Sequence, residues 1–390
     1  MYFYKMDNYK KYTMKKITLF FILVTLVLIS CKKSIEEEIA ASIDPGNFNG
    51  YKLETVVDGL EVAWGMAFLP DGSMLITEQK GDLIHFKNGQ KILIEGVPKV
   101  YYENQGGLLD IELHPNYKEN GWIYLSYSSS VENQGKGANT AIMRAKIADN
   151  KLVDQEILYE ATPNTKKGGH FGSRLEFDRE GYLYISIGDR QNRDVNPQDI
   201  NRDNGKIYRI NDDGSIPLDN PFYNTEGAKK AIYSYGHRNP QGMTMHPVTG
   251  QIWTHEHGPQ GGDEINIIQP GKNYGWPKIT YGINYDDTKI TDDTSLPGME
   301  QPLHYWVPSI APSGMAFVTS DKYPNWKGNL MVGSLKFKYL NRCVIEDNIV
   351  VKEEKIMENM VGKVRNVRQA PDGYIYVSIE QLGIVRIIPN

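Results

Sequence analysis

Alternating apolar and polar positions dominate the chain from residue 50 to the end. One pattern recurs six times. A small or polar residue leads into a period-two run, then a turn with Pro, Asp or Gly, then a second period-two run. The copies start at Gly65 (GMAFLPDGSMLIT), Gly107 (GLLDIELHPNYKENGWIYLSY), Ser173 (SRLEFDREGYLYISI), Gly242 (GMTMHPVTGQIWTHE), Gly314 (GMAFVTSDKYPNWKGNLMVG) and Asn366 (NVRQAPDGYIYVSI). Side chains alternate across a strand, so each copy predicts a hairpin. Residues 50–390 divided by six give about 57 residues per unit, above the ~40–45 of a compact four-stranded blade. Insertions such as Tyr281 to Pro302 account for the excess. Six similar hairpin units without long amphipathic helices predict an all-β fold, a six-bladed β-propeller. A β-sandwich would not need six copies. The last strand, Gly383 to Ile388, is expected to share a blade with residues near residue 50 and so close the ring.

The first 49 residues break the pattern. Lys15 and Lys16 precede an unbroken apolar run, Ile17 to Ser30, which is short for a bilayer span but suits a signal sequence. It ends Leu28-Ile29-Ser30-Cys31, which resembles a bacterial lipobox. Residues 1–30 therefore read as a lipoprotein signal peptide, with Cys31 as the lipidated first residue of the mature chain. Residues 31–49, with Glu36-Glu37-Glu38 and Pro45-Gly46, read as a polar tether. Residues 50–390 form the propeller. The expected location is the cell envelope, with the membrane reached only through lipid on Cys31.

Composition narrows the classes. The 25 tyrosines and 37 glycines suit strands and turns. Hydrophobic residues at 40% and charged residues at 23% exclude wholesale disorder. With 43 basic and 48 acidic residues, the net charge of −5 argues against a nucleic-acid binder. Two cysteines cannot build a disulfide framework, and Cys343 reads as a small buried hydrophobe.

Polar residues cluster at one phase of the repeat, just before the first strand of each hairpin. Gln105, His170, Arg238, Lys363 and Arg365 all lie there. In a propeller, equivalent phases of different blades converge at one end of the central channel. The third hairpin turns at Asp178-Arg179-Glu180-Gly181, so facing residues should have numbers that sum to 359. His170 and Asp189 do. A carboxylate beside an imidazole fixes its tautomer and raises its basicity, as a general base needs. In the fourth hairpin Arg238 should face Gly258 and Pro259, whose exposed carbonyls in a Gly/Pro-rich loop suit Ca²⁺. His255 and His257 share a strand face, yet the HExxH spacing of a zinc protease is absent. Lys363 and Arg365 are two apart and share a face, which suits a polyanionic ligand. Arg368 has the opposite parity and is expected on the solvated surface.

A resemblance runs through the strings Gly236-His237-Arg238-Asn239-Pro240-Gln241-Gly242, Glu256-His257-Gly258-Pro259, Asp263-Glu264-Ile265-Asn266 and Asn273-Tyr274-Gly275-Trp276-Pro277. The chain resembles the soluble sugar dehydrogenases that use pyrroloquinoline quinone (PQQ), and more closely their aldose sugar dehydrogenase (glucose/sorbosone dehydrogenase) branch. The resemblance implies a six-bladed quinoprotein that uses PQQ and Ca²⁺ to oxidise aldoses to aldonolactones by hydride transfer, then passes electrons to an acceptor of unspecified kind. It implies His170 as catalytic base, Asp189 as its partner acid, and Arg238 and Asn239 around the quinone oxygens. Lys336 would contact the cofactor, and Gly258 and Pro259 would hold its Ca²⁺. Gln105 matches a substrate-side glutamine. Lys363 and Arg365 fall where the glucose enzymes carry Arg-x-Arg for the cofactor carboxylates. Lys363 departs from that pattern, and a lysine lacks the bidentate fork of an arginine. Two other classes compete. A Ca²⁺-dependent propeller lactonase would need carboxylate metal ligands and no cationic cluster, which Lys336, Lys363 and Arg365 contradict. A non-catalytic glycan-binding propeller would not need the His170, Asp189 and Arg238 set.

Overall fold

The structure, a computed structural model, describes residues 50–360 and 362–390. The expected leader, Cys31 and the tether to residue 49 lie outside the described residues. Blade 1 consists of β2 (Ala63–Phe68), β3 (Met74–Glu78), β4 (Leu83–Lys87) and β5 (Gln90–Ile94). Blade 2 has β6 (Leu108–Leu113), β7 (Ile123–Ser129), β8 (Asn139–Ala148) and β9 (Lys151–Glu160), with one short helix, α1 (Tyr117–Asn120), in its first turn. Blade 3 has β10 (Gly172–Phe177), β11 (Leu183–Ile187), β12 (Lys206–Ile210) and β13 (Ile232–Tyr235). Blade 4 has β14 (Pro240–Met245), β15 (Ile252–Glu256), β16 (Asp263–Ile267) and β17 (His304–Trp306), and the long insertion lies between its last two strands. Blade 5 has β18 (Pro312–Phe317), β19 (Leu330–Ser334), β20 (Leu340–Glu346) and β21 (Ile349–Ile356). Blade 6 has β22 (Val364–Gln369), β23 (Ile375–Ile379) and β24 (Gly383–Pro389), and β1 (Tyr51–Asp58) is its outermost strand. The expected ring closure is therefore present. The inner strands β2, β6, β10, β14, β18 and β22 pack side by side, and β2 meets β22.

All six inner strands carry a register shift near the end where they begin, which we term the mouth. A bulge leaves an N–H without a ladder partner. In three blades one hydroxyl answers it. Thr77, Ser126 and Ser186 accept from Gly65, Asp110 and Arg174 N–H. The same hydroxyls donate to Leu109, Ser173 and Pro240 carbonyls of the next blade. Ser378 donates to Ala63 O and carries this seam across the closure. Each such buried bond contributes about 1 kcal/mol net, and leaving the bulge unsatisfied would cost more.

The bulge also changes which side chains enter the channel. Arg368 was expected at the surface, but the shift between Val364 and Asn366 inverts the alternation. Arg368 instead sits among Asp110, Glu112 and Glu176 at 3.0–3.7 Å. Arg174 crosses the channel above it, stacked on Trp64 at 4.0 Å and paired with Asp110 at 3.1 Å. These charges join the inner strands of blades 2, 3 and 6 below the mouth.

Candidate active site

Two cavities open at the mouth, and Gln105 lines both. The first, about 420 Å³, includes His170, Asp189, Arg238, Pro259 and Trp276. The second, about 280 Å³, includes Trp64, Gln241, His257, Lys363, Arg365 and Glu380.

His170 occupies the segment between the outer strand of blade 2 and β10. Its φ of 58° is left-handed, a conformation that costs a non-glycine residue about 1–3 kcal/mol unless its surroundings impose it. They do so here. Gln105 Oε1 accepts His170 N–H at 2.7 Å. Arg190, lying over the Phe171 ring at 3.5 Å, donates to the Gly169 and Lys167 carbonyls. A Cβ on Gly188 would lie 2.2 Å from the His170 carbonyl oxygen, so only glycine lets the two segments meet.

The register at this hairpin is instructive. Near the turn Phe177 faces Leu183, one residue off the expected sum, and the bulge restores it where Gly172 faces Ile187. Asp189 Oδ1 consequently lies 2.7 Å from His170 Nδ1. Gln191 N–H donates to the same oxygen, and Trp276 Nε1 donates to Oδ2 at 2.8 Å. Burial alone would raise the Asp189 pKa, but the His170 ring, Arg238 and Trp276 outweigh it and the net shift is downward. An ionised carboxylate only accepts, so Nδ1 carries the ring proton and Nε2 keeps its lone pair. Burial first, then the Arg238 charge, holds the His170 pKa below its ordinary value despite Asp189. The imidazole is thus neutral at pH 7 and competent as a base.

Arg238 donates to the His257 carbonyl at 2.9 Å, and the Trp276 ring lies 5.4 Å from its guanidinium. Its backbone N–H is held by Glu256, which also accepts from the His237 ring. No carboxylate pairs with the Arg238 side chain among the described residues. Its charge therefore remains for a ligand in the cavity. The neighbouring Asn239 lines neither cavity. Its side chain is 1% exposed and accepts Gly172 N–H at 3.1 Å, so it joins blade 4 to blade 3.

The second cavity departs from expectation. Lys363 and Arg365 do share a face, but they are not free cations. Arg365 donates to Glu380 Oε1, and Lys363 Nζ lies 3.7 Å from Glu380 Oε2. Lys336 is exposed, with its ammonium 5.2 Å from the Phe337 ring centre, and lines neither cavity. Leu335, its neighbour, takes that place. His257 stays neutral because burial pushes its pKa down to about 3.

The Gly258–Pro259 loop presents Pro259 to the first cavity, with Gly258 behind it. A Cβ on Gly258 would lie 2.1 Å from Gly261 O, so the loop is folded too tightly for a side chain. Asp263 braces it from behind. It accepts Gly258 N–H at 2.8 Å together with Ser309, Ile310 and Ala311 donors. Among the described residues no group of three His, Cys, Asp or Glu side chains could hold a metal ion. The loop offers neutral carbonyl oxygens, the donor type that hard cations take. These residues fit a calcium ion whose charge is balanced by an anionic ligand, and the mouth cations fit carboxylates.

Trp276, Glu380 and Gln241 were assigned no role from sequence. Glu380 could have been found, because the arithmetic that places Asp189 also places Glu380 across from Lys363, next to the Val364–Ile379 pair.

A closed propeller with an oriented imidazole and an unpaired arginine in one polar mouth defines a β-propeller enzyme that manages a proton and a negative charge together. The Glucose / Sorbosone dehydrogenase family profile matches residues 60–386, and the chain belongs to that family of quinoprotein oxidoreductases. It is 44% identical over 336 residues to the aldose sugar dehydrogenase YliI of Escherichia coli, covering 84% of this chain and 90% of that one. The crystal structure of the soluble E. coli aldose sugar dehydrogenase in its apo form superposes with a TM-score of 0.84 at 41% identity, covering 87% of this chain and all of that one. The PQQ-bound aldose sugar dehydrogenase of Streptomyces coelicolor superposes with a TM-score of 0.72 at 25% identity, covering 88% of this chain and all of that one.

Proposed function

We propose that this sugar dehydrogenase oxidises the anomeric hydroxyl of aldoses to aldonolactones, with PQQ and Ca²⁺ as its cofactors. The observation that carries the reading is the His170–Asp189 pair at 2.7 Å in a cavity shared with Arg238. The PQQ-bound S. coelicolor relative supports the choice of cofactor. When bound, the cofactor supplies a quinone able to take up a hydride, with the calcium ion as Lewis acid on its oxygen.

The chain's own residues do the rest. His170 Nε2 takes the proton of the C1 hydroxyl, and Asp189 stabilises the imidazolium that results. Arg238 meets negative charge that develops beside it. The Gly258 and Pro259 carbonyls would hold the calcium ion, and Lys363 and Arg365 would hold cofactor carboxylates. Gln105 keeps the His170 segment in place, since its amide oxygen is committed to His170 N–H. The test adds PQQ and Ca²⁺ to purified apoprotein and follows dye reduction with a panel of aldoses. Reduction that requires both cofactors and an aldose is expected, and its absence for every aldose would refute the reading.

The same proposal places the enzyme outside the cytoplasm in the cell envelope, tethered to a membrane through Cys31. The motive is Leu28-Ile29-Ser30-Cys31 after a basic, apolar leader. Cys31→Ser should release the protein from the membrane fraction with activity intact, whereas unlabelled Cys31 in membrane-bound wild type would contradict the anchor.

A further inference from the structure

A third cavity, about 480 Å³, lies outside the ring between blades 4 and 5. It opens on the mouth side, because β17 and β21 end there and β18 and β20 begin there. The 258–262 loop touches both this cavity and the His170 cavity. Gly262 N–H donates to Trp306 O at 2.8 Å, and Val307 packs on Gly261, while Pro259 faces the other way. None of the proposed chemistry uses this cavity.

Its walls combine two kinds of surface. Phe337 is 43% exposed, and its ring lies within 4° of parallel to Tyr339, with centroids 6.0 Å apart. Tyr339 is only 5% exposed, so Phe337 is the ring open to the cleft, with Lys336 Nζ 5.2 Å from its centre and Lys355 Nζ 5.4 Å from that of Tyr339. Beside Phe337, Glu353 is held by three groups. Trp306 Nε1 donates to it at 2.7 Å and Asn341 Nδ2 donates as well, while His304 Nε2 lies 3.0 Å from its other oxygen. Burial would raise the Glu353 pKa, but His304, Trp306 and Asn341 pull it down to about 2. The carboxylate stays ionised while its side chain remains 34% exposed. Lys355 adds a donor at the same wall.

The chemistry of this combination selects a ligand class. An anion is disfavoured, since Glu353 and Glu358 outnumber Lys355. A cation is not required, because Trp306 Nε1 and Asn341 Nδ2 already donate to Glu353. A neutral molecule with one apolar face and an edge of hydroxyls satisfies both surfaces. Its C–H groups meet the negative face of an aromatic ring, and its hydroxyls donate to a fixed carboxylate. A pyranose unit has that shape. We propose that this cleft is a second carbohydrate subsite, which holds a sugar unit of a neutral oligosaccharide at the mouth face. Binding there stands on the cleft alone. That the same oligosaccharide presents its reducing end to His170 rests on the proposed function.

The test uses full-length apoprotein, free of PQQ, with α-1,4- and β-1,4-linked glucose hexasaccharides as probes. Binding is read by calorimetry and by Trp306 fluorescence. At least one hexasaccharide should bind, and Phe337→Ala should weaken that binding about tenfold. Phe337 is 43% exposed and lies outside the core that Tyr339 joins, so this variant should fold; Lys355→Ala, a second surface change, should weaken binding as well. In the reconstituted enzyme Phe337→Ala should raise KM for the hexasaccharide and leave glucose kinetics unchanged. If neither probe binds at about 10 mM, or if Phe337→Ala and Lys355→Ala bind like wild type, the subsite is refuted. The two readings fail separately: apoprotein that binds hexasaccharide but never oxidises an aldose would refute the proposed function and leave the subsite standing.

Discussion

In the His170 half of the mouth a buried carboxylate, Asp189, serves one imidazole, and Trp276 and a backbone N–H complete it. In the Lys363 half a carboxylate, Glu380, is shared by two cations and lines the open cavity. The first arrangement is finished without a ligand, and its geometry cannot relax without leaving a buried ionised acid short of donors. The second can exchange partners, because a ligand carboxylate can compete with Glu380 for Lys363 and Arg365. Under the proposed function, one half would move a proton and the other would hold an anion with adjustable strength.

The largest expected effect breaks the first half. His170→Gln should lower kcat by about 10²–10⁴ at saturating cofactor and sugar, since it removes the general base. Near-wild-type turnover would mean that another group takes the proton. A smaller change sharpens the second half. Glu380→Gln keeps the side-chain shape but frees both cations, and should lower the PQQ concentration for half reconstitution about 3- to 10-fold at low salt. A higher midpoint would show that Glu380 orients the cations rather than competing for them. Trp276→Phe should cost least, about 3- to 10-fold in kcat, as Asp189 loses one donor but keeps His170 and Gln191.

Acidity separates the halves too. The His170 pKa is lowered, so the neutral base is fully present above the ordinary histidine range and is lost only at more acidic pH. The rate should rise with pH through a midpoint below 6.5 and then level off. Asp189→Asn removes the charge that opposes the downward shift, and should move that midpoint further down while lowering the plateau.

How much of this was legible depended on whether a residue's place follows from strand periodicity. The six hairpins and the ring closure follow from it directly. So does the His170–Asp189 pair, because the bulge in β10 corrects the one-residue error at the turn. Arg368 was misplaced for the same reason in reverse. Its own strand bulges between Val364 and Asn366, and period-two counting across a bulge assigns the wrong face. Lys336 lies in the turn after β19, where Phe337 N–H bonds Ser334 Oγ, and no periodicity says which way that turn points its side chains. Asn239 stands beside a ligand-facing arginine, yet its oxygen is consumed by Gly172 N–H from a strand 67 residues away. Trp276 reaches Asp189 from within the long blade 4 insertion, a contact that depends on tertiary packing alone.

The division of labour between the two halves is tested most directly by titrating PQQ, with Ca²⁺ present, into wild type, His170→Gln and Glu380→Gln side by side. Each titration yields a plateau rate and a midpoint. The account predicts that His170→Gln collapses the plateau at an unchanged midpoint, and that Glu380→Gln lowers the midpoint with the plateau kept. Plateau and midpoint moving together in both variants would contradict it, and the mouth would then act as a single undivided site.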